Sequence, residues 1–351
     1  MPGQIQTVLG RIAPENLGRT LTHEHFSLDF EKFYVEPPVN LKSYIEGEIK
    51  LDNIGLIRQY PYSSHDNLAF YDDRTHAAIK REMEIYKKLG GGAVVENTSH
   101  GIKRDLKLMC EVSCTTGVHV IAGTGYYVSS VQPPSVLRMS REDMCQLMYS
   151  ELCHGCDDVV DVKCGFIGEV GSGWPLHEFE VRVIKAVAEV QSQLNCPVSF
   201  HPGRNPQAPF EIMRLFQEAG GKASKTVMSH LDRTLPQKDT LLEFAAMGSY
   251  CQFDLFGTEC SQYQLDPSTD MPSDAQRMDR VLSLLADGRH DKILLSHDIH
   301  TKHRLMQFGG HGFSHILTNI LHRLKAKGVD QATVDQISII NPANWLAWEL
   351  D

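Results

Sequence analysis

Short apolar runs rich in β-branched residues recur along the chain, separated by stretches of helical periodicity. The runs are RTLTHEH (19–25), GGAVVENT (91–98), VHVIAGTGYY (118–127), CGFIGEVG (164–171), CPVSFHPG (196–203), KTVMSH (225–230), GSYCQFDLFG (248–257) and KILLSHD (292–298). Runs this short, bounded by Gly, Pro or polar residues, read as buried strands. Between them, THAAIKREMEIYKKLG (75–90), REDMCQLMYSELCHGC (141–156), EFEVRVIKAVAEVQSQL (178–194) and QAPFEIMRLFQEAG (207–220) read as helices. Gly90, Gly117 and Gly220 close helical segments, because glycine takes the left-handed conformation that ends a helix at little cost.

Strands that alternate with helices predict parallel βαβ units, and eight of them suffice to close a (β/α)8 TIM barrel. A doubly wound sheet would want a Gly-rich phosphate loop after its first strand. Here that strand ends in His-Glu-His, and no such loop follows. Residues 29–74, long, aromatic and proline-bearing, break the repeat. They predict an extended loop excursion after strand one, at the mouth or as a lid. No linker or repeat divides the chain, so one domain over 1–351 is expected.

Composition narrows the function classes. The 351 residues are 42% hydrophobic and 22% charged, with a formal net charge of −10. No Lys/Arg block stands out, which argues against nucleic acid and acidic membrane surfaces as partners. No apolar stretch is long enough to span a membrane, and the start does not read as a signal peptide. Nine irregularly spaced cysteines suggest free thiols in a reducing compartment, the cytosol. Cys153 and Cys156 match C-x-x-C, but they end a helical run and read as incidental.

The strand ends carry the chemistry. His23 and His25 end strand one, Glu169 strand four, His201 strand five, His230 strand six and Asp298 strand eight. In such barrels the active site is built at the C-terminal strand ends, so these scattered residues converge on one mouth. On a strand, i and i+2 share a face roughly 6–7 Å apart. Two imidazoles so spaced can both reach one ion at about 2.1 Å, while Glu24 points the other way. Six ligands exceed one tetrahedral ion. Two ions about 3.5–4 Å apart use them well. The natural division puts His23, His25 and Asp298 on one ion, His201 and His230 on the other, and Glu169 between. The set admits Zn, Mn, Fe or Co, with zinc the first expectation.

The order of these ligands, together with LTHEH, GIKRD, GTGYY, HPGR, SHLDR, DLFG and SHDIHTK, resembles the phosphotriesterase family of the binuclear-metal amidohydrolases. Within that family it is similar to the phosphotriesterase-related proteins of animals, over nearly the whole chain. One departure stands out. The bacterial members bridge their metals with a carbamylated lysine on strand four, whereas this chain has Glu169 there. Lys163 lies six residues earlier, roughly 20 Å along an extended strand, too far to substitute.

The resemblance implies a metal-dependent amidohydrolase of small anionic N-acyl compounds, N-acetyltaurine first, cut to taurine and acetate. A metal-bridging hydroxide would attack the carbonyl, with Asp298 as proton shuttle to the leaving amine. At the mouth, Arg204 could hold a sulfonate or carboxylate by paired hydrogen bonds. Asn97, Tyr126 and Tyr127 follow strands two and three, and His300 and Lys302 follow strand eight; all five are candidate substrate contacts. Arg233 is expected to pair with Asp232 or Glu259, and His311 and His315 to be structural. The rival readings are a lactonase or phosphotriesterase on the same site, and a metal-binding scaffold without catalysis. Barrels of this kind often dimerise, which leaves a homodimer open.

Overall fold

The computed structural model describes residues 3–260 and 262–349. Eight parallel strands form one sheet: β1 (Arg19–Glu24), β2 (Gly91–Glu96), β3 (His119–Thr124), β4 (Phe166–Gly171), β5 (Val198–His201), β6 (Thr226–Met228), β7 (Tyr250–Phe253) and β8 (Ile293–Leu295). Their order in space is their order in sequence, as in a (β/α)8 barrel. The main helices return between them: α1 (Asp73–Lys88), α2 (Leu106–Thr116), α3 (Arg141–Cys153), α4 (Glu178–Leu194), α5 (Ala208–Glu218), α6 (Lys238–Ala245) and α7 (Asp274–Ala286). Asp72 caps α1 and Asp105 caps α2 through side-chain bonds to Thr75 and Leu108 N–H. Gly117 sits at φ +70° just past α2, a left-handed stop that only glycine adopts freely. Among the described residues no helix is long and apolar enough to cross a membrane.

The period-2 alternation of the strands separates two apolar layers. Ala93, Val95, Ile121, Val227 and Leu294 point into the barrel, where Ile5, Leu17, Trp345 and Leu346 close its base. Their neighbours Val94, Val120, Met228, Ile293 and Leu295 point outward under the helices. Apolar side chains thus fill the lower barrel, and the polar inward positions are left for the upper end.

Two local irregularities shape that end. Between Leu21 and Glu24, β1 carries one residue more than β2; between Ile167 and Val170, β4 carries one more than β5. Such bulges re-aim side chains, and these two fall at His23 and Glu169. The seam between β8 and β1 is closed by specific bonds instead of a ladder. Thr22 Oγ1 donates to the Leu295 carbonyl at 3.3 Å, His23 N–H to Ser296 Oγ at 2.9 Å, and Asp298 N–H to the His23 carbonyl at 3.0 Å.

Candidate metal centre and its cavity

Four imidazoles and two carboxylates meet at the C-terminal end of the barrel. His23, His25 and Asp298 offer ligand atoms within 4.8 Å of one another, and so do His23, Glu169 and His230. His201 Nδ1 joins the second group, 2.9 Å from Glu169 Oε2 and 2.8 Å from His230 Nε2. The His23 and His25 ring centroids lie 5.5 Å apart. These clusters form a binuclear metal-binding site.

The donor set fits that role ring by ring. His23 Nδ1 faces Ser229 Oγ and Asp254 Oδ2, each at 3.1 Å, and its buried Nε2 has no hydrogen-bond partner. His25 Nδ1 meets Thr98 Oγ1 at 2.9 Å, and Thr98 donates to Glu96. His230 Nδ1 lies 2.7 Å from Asp254 Oδ1. His201 instead turns Nε2 toward the Tyr127 hydroxyl at 3.5 Å. In each ring one nitrogen is tied outward, which leaves the other lone pair aimed into the cluster. The ligand atoms are nitrogen and oxygen; thiolate is absent from both clusters.

Charge follows the same logic. Burial raises the Glu169 pKa, yet His23 and His201 beside it hold the carboxyl well below its usual range. Burial acts likewise on Asp298, and His300 and His25 outweigh it. Burial pushes His201 down to about 3. The carboxylates stay ionised, as cation ligation requires. His230 and Asp298 both sit at positive φ, +58° and +53°. Such non-glycine outliers store strain and cluster at functional sites.

Glu24 turns away from the cluster and accepts four bonds, from Ser296 Oγ, His297 N–H, His297 Nδ1–H and Ile299 N–H, at 2.7–3.1 Å. These hold both sides of Asp298. Asp254, which ends β7 and orients two of the imidazoles, was not among the sequence candidates. Its signal is an acid interrupting the apolar run QFDLFG.

The cluster floors a cavity of about 370 Å³. Arg204, Tyr127 and His300 line it, as do Phe30, Arg58 and Tyr62 from the excursion after β1. Three other sequence candidates lie elsewhere. Asn97 is fully buried inside the barrel, its side-chain amide donating to the Thr22 and Val95 carbonyls while its main-chain carbonyl accepts from Glu169 N–H. Tyr126 points opposite to Tyr127, against Phe179, with its hydroxyl toward Met139 Sδ. Lys302 is buried between Asp66 at 2.8 Å and Asp72 at 2.6 Å, so it ties the excursion down instead of meeting the cavity. His311 and His315 reach the cavity wall, but His315 is spent on Asp274 at 2.7 Å. Arg233, expected to be ion-paired, has no carboxylate against its guanidinium among the described residues.

Residues 3–346 match the model of the Phosphotriesterase family. The chain is 57% identical to a phosphotriesterase-related protein of Aedes aegypti, over 98% of each sequence. Among solved structures it is similar to a resiniferatoxin-binding protein from Rhodobacter sphaeroides, at 29% identity and TM-score 0.93, covering 98% of this chain and 95% of the other. It is also similar to the phosphotriesterase homology protein of Escherichia coli complexed with phosphate in its active site. The identity there is 26% and the TM-score 0.76, over 94% of this chain and 99% of the other.

Proposed function

The chain belongs to the phosphotriesterase family, and we propose that its binuclear site hydrolyses the amide bond of small N-acyl compounds bearing an acidic group, N-acetyltaurine foremost. The observation that carries this reading is Arg204. Its half-buried guanidinium lines the cavity over the ligand cluster and pairs with no carboxylate among the described residues. Its hydrogen-bond partner is the Tyr263 hydroxyl, at 2.7 and 3.2 Å from two of its nitrogens. That leaves donors for a sulfonate or carboxylate. A cavity of about 370 Å³ suits a small ligand.

Zinc is the proposed ion, since the donors are imidazole and carboxylate, which Mn, Fe and Co also accept. Two such ions supply a nucleophilic water near neutral pH and polarise a carbonyl oxygen. The chain's own residues supply the rest. Asp298 Oδ1 lies 3.2 Å from His25 Nε2 and 3.3 Å from His300 Nδ1, at the junction of cluster and cavity. There it accepts the proton of the attacking water and passes it to the departing nitrogen. An amide needs that step, because an amine anion is a very poor leaving group. His300 Nε2 meets the Tyr62 hydroxyl at 3.0 Å, which holds the imidazole against Asp298 from the cavity side. None of the nine cysteines is joined in a disulfide, which suits a cytosolic enzyme.

The test is turnover by the zinc- or manganese-loaded protein on N-acetyl compounds, lactones and a phosphotriester, with Asp298→Asn as the comparison. Taurine release from N-acetyltaurine is expected, with a loss of about 10²–10⁴-fold in Asp298→Asn. Turnover confined to lactones or the phosphotriester would replace the substrate. Silence on the whole panel with two ions bound would favour the scaffold reading.

A further inference from the structure

Arg233 follows β6, three residues beyond His230, and is only 5% exposed. Its guanidinium donates to Thr234 Oγ1 at 3.3 Å and to the Pro202 carbonyl at 3.4 Å, both neutral and both long. The acids beside it in sequence and space are engaged elsewhere. Asp232 binds Arg277 Nε at 3.1 Å and Leu255 N–H at 2.9 Å. Glu259 accepts from Asp274 N–H at 3.0 Å. A buried cation without a counter-ion is costly, so its retention calls for an anion that arrives from outside. Arg233 lines the same cavity as Arg204. It leans on the carbonyl of Pro202, two residues before Arg204 in the turn that follows β5.

We propose that Arg233 is a second anchoring residue which, together with Arg204, takes the acidic group on the amine half of the substrate. The pocket is then selective for a multi-oxygen acid such as a sulfonate. This rests on the reading of the site as an amidase for anionic N-acyl compounds. Two guanidiniums offer more donors than one carboxylate can accept, whereas a sulfonate has three oxygens to receive them. A neutral amide of the same size would leave both cations without a counter-charge, so discrimination against it follows from the cost of that arrangement.

The experiment uses the metal-loaded full chain, wild type, Arg233→Gln and Arg233→Lys, each checked for native circular dichroism. Binding of propane-1-sulfonate is measured by calorimetry. Turnover is compared between N-acetyltaurine and the neutral N-acetylethanolamine. Arg233→Gln is expected to weaken sulfonate binding at least tenfold. It should also lower the ratio of kcat/KM for the anionic over the neutral amide to a similar extent, mainly through KM. Arg233→Lys, which keeps the charge without the planar fork, should fall between. Unchanged sulfonate affinity in both variants, or equal losses on the two amides, would overturn the proposal, as would a wild-type protein that does not bind the sulfonate. Should Arg233→Gln fail to fold, Arg233→Lys decides on the same readouts. If the wild type cleaves no amide yet binds the sulfonate through Arg233, the anchor stands and the amidase reading falls.

Discussion

Two imidazoles from different strands depend on one carboxylate. Asp254 receives His230 Nδ1–H at 2.7 Å and lies 3.1 Å from His23 Nδ1, while Gln252 Nε2 donates to it at 3.0 Å. Burial raises its pKa, but His230 and His23 outweigh that and keep it ionised. It fixes the tautomer of a ring in each ligand group. Asp254→Asn should lower metal affinity about 10–100-fold, read by competition with a chromophoric chelator, with the far-ultraviolet spectrum unchanged. Undiminished affinity would show that Ser229 and the ring packing suffice. The strand-end histidines were legible because ligand-type residues recur at the same place in successive units. Asp254 was harder to see, because its partners are far away in sequence. Asn97, Tyr126 and Lys302 occupy similar loop positions but face the barrel interior, the helix layer and the excursion. Adjacent residues on an extended chain point opposite ways, so of Tyr126 and Tyr127 only one could face the cavity.

At the scale of elements, periodicity places the eight strands and the four helices read from the sequence, and the expected EFEVRVIKAVAEVQSQL helix coincides with α4, Glu178–Leu194. The bulges at His23 and Glu169 carry no comparable signal, because an extra residue in one strand is defined only against its neighbour. The excursion after β1 is tied down by a buried ammonium, beside the Arg74–Asp66 ion pair at 3.5 Å. Lys302, fully buried, bridges Asp66 within the excursion and Asp72 at the start of α1. Asn67 adds a bond to His303 N–H at 2.8 Å, and Gln264 Oε1 receives Tyr62 N–H at 2.9 Å. Lys302→Met would leave two carboxylates facing each other under the excursion. The expected cost is about 3 kcal/mol in urea unfolding, since removing one partner of a buried pair leaves the other uncompensated. Proteolysis within 29–74 should quicken in the same variant. An unchanged midpoint and digestion pattern would mean that Arg74 and the neutral bonds hold the segment without Lys302.

Across the whole molecule, Glu82 links α1 to the chain after β8 by accepting from Met306 N–H at 2.6 Å and Phe313 N–H at 3.1 Å. Burial lifts its pKa from 4.5 to about 7, against the pull of those two bonds. The folded state therefore holds a proton that the unfolded chain has released. The resulting stability is fully present below pH 4.5 and is lost as pH rises through about 7, a swing of about 3 kcal/mol. Glu82→Gln stays neutral throughout, so wild type should lose about that much relative to the variant between pH 4.5 and 8, measured by urea unfolding. A constant difference would show that Glu82 does not titrate in that window. By itself the sequence determined the barrel and the ring of ligands, because hydrophobic period and strand-end chemistry are local properties repeated eight times. Only the tertiary structure decided which charges are spent and which are free. Lys302 is spent on Asp66 and Asp72, and Arg277 on Asp232, partners far away in sequence, while Arg204 and Arg233 are left facing the cavity. Charge pairing depends on three-dimensional distance, which no spacing along the chain encodes.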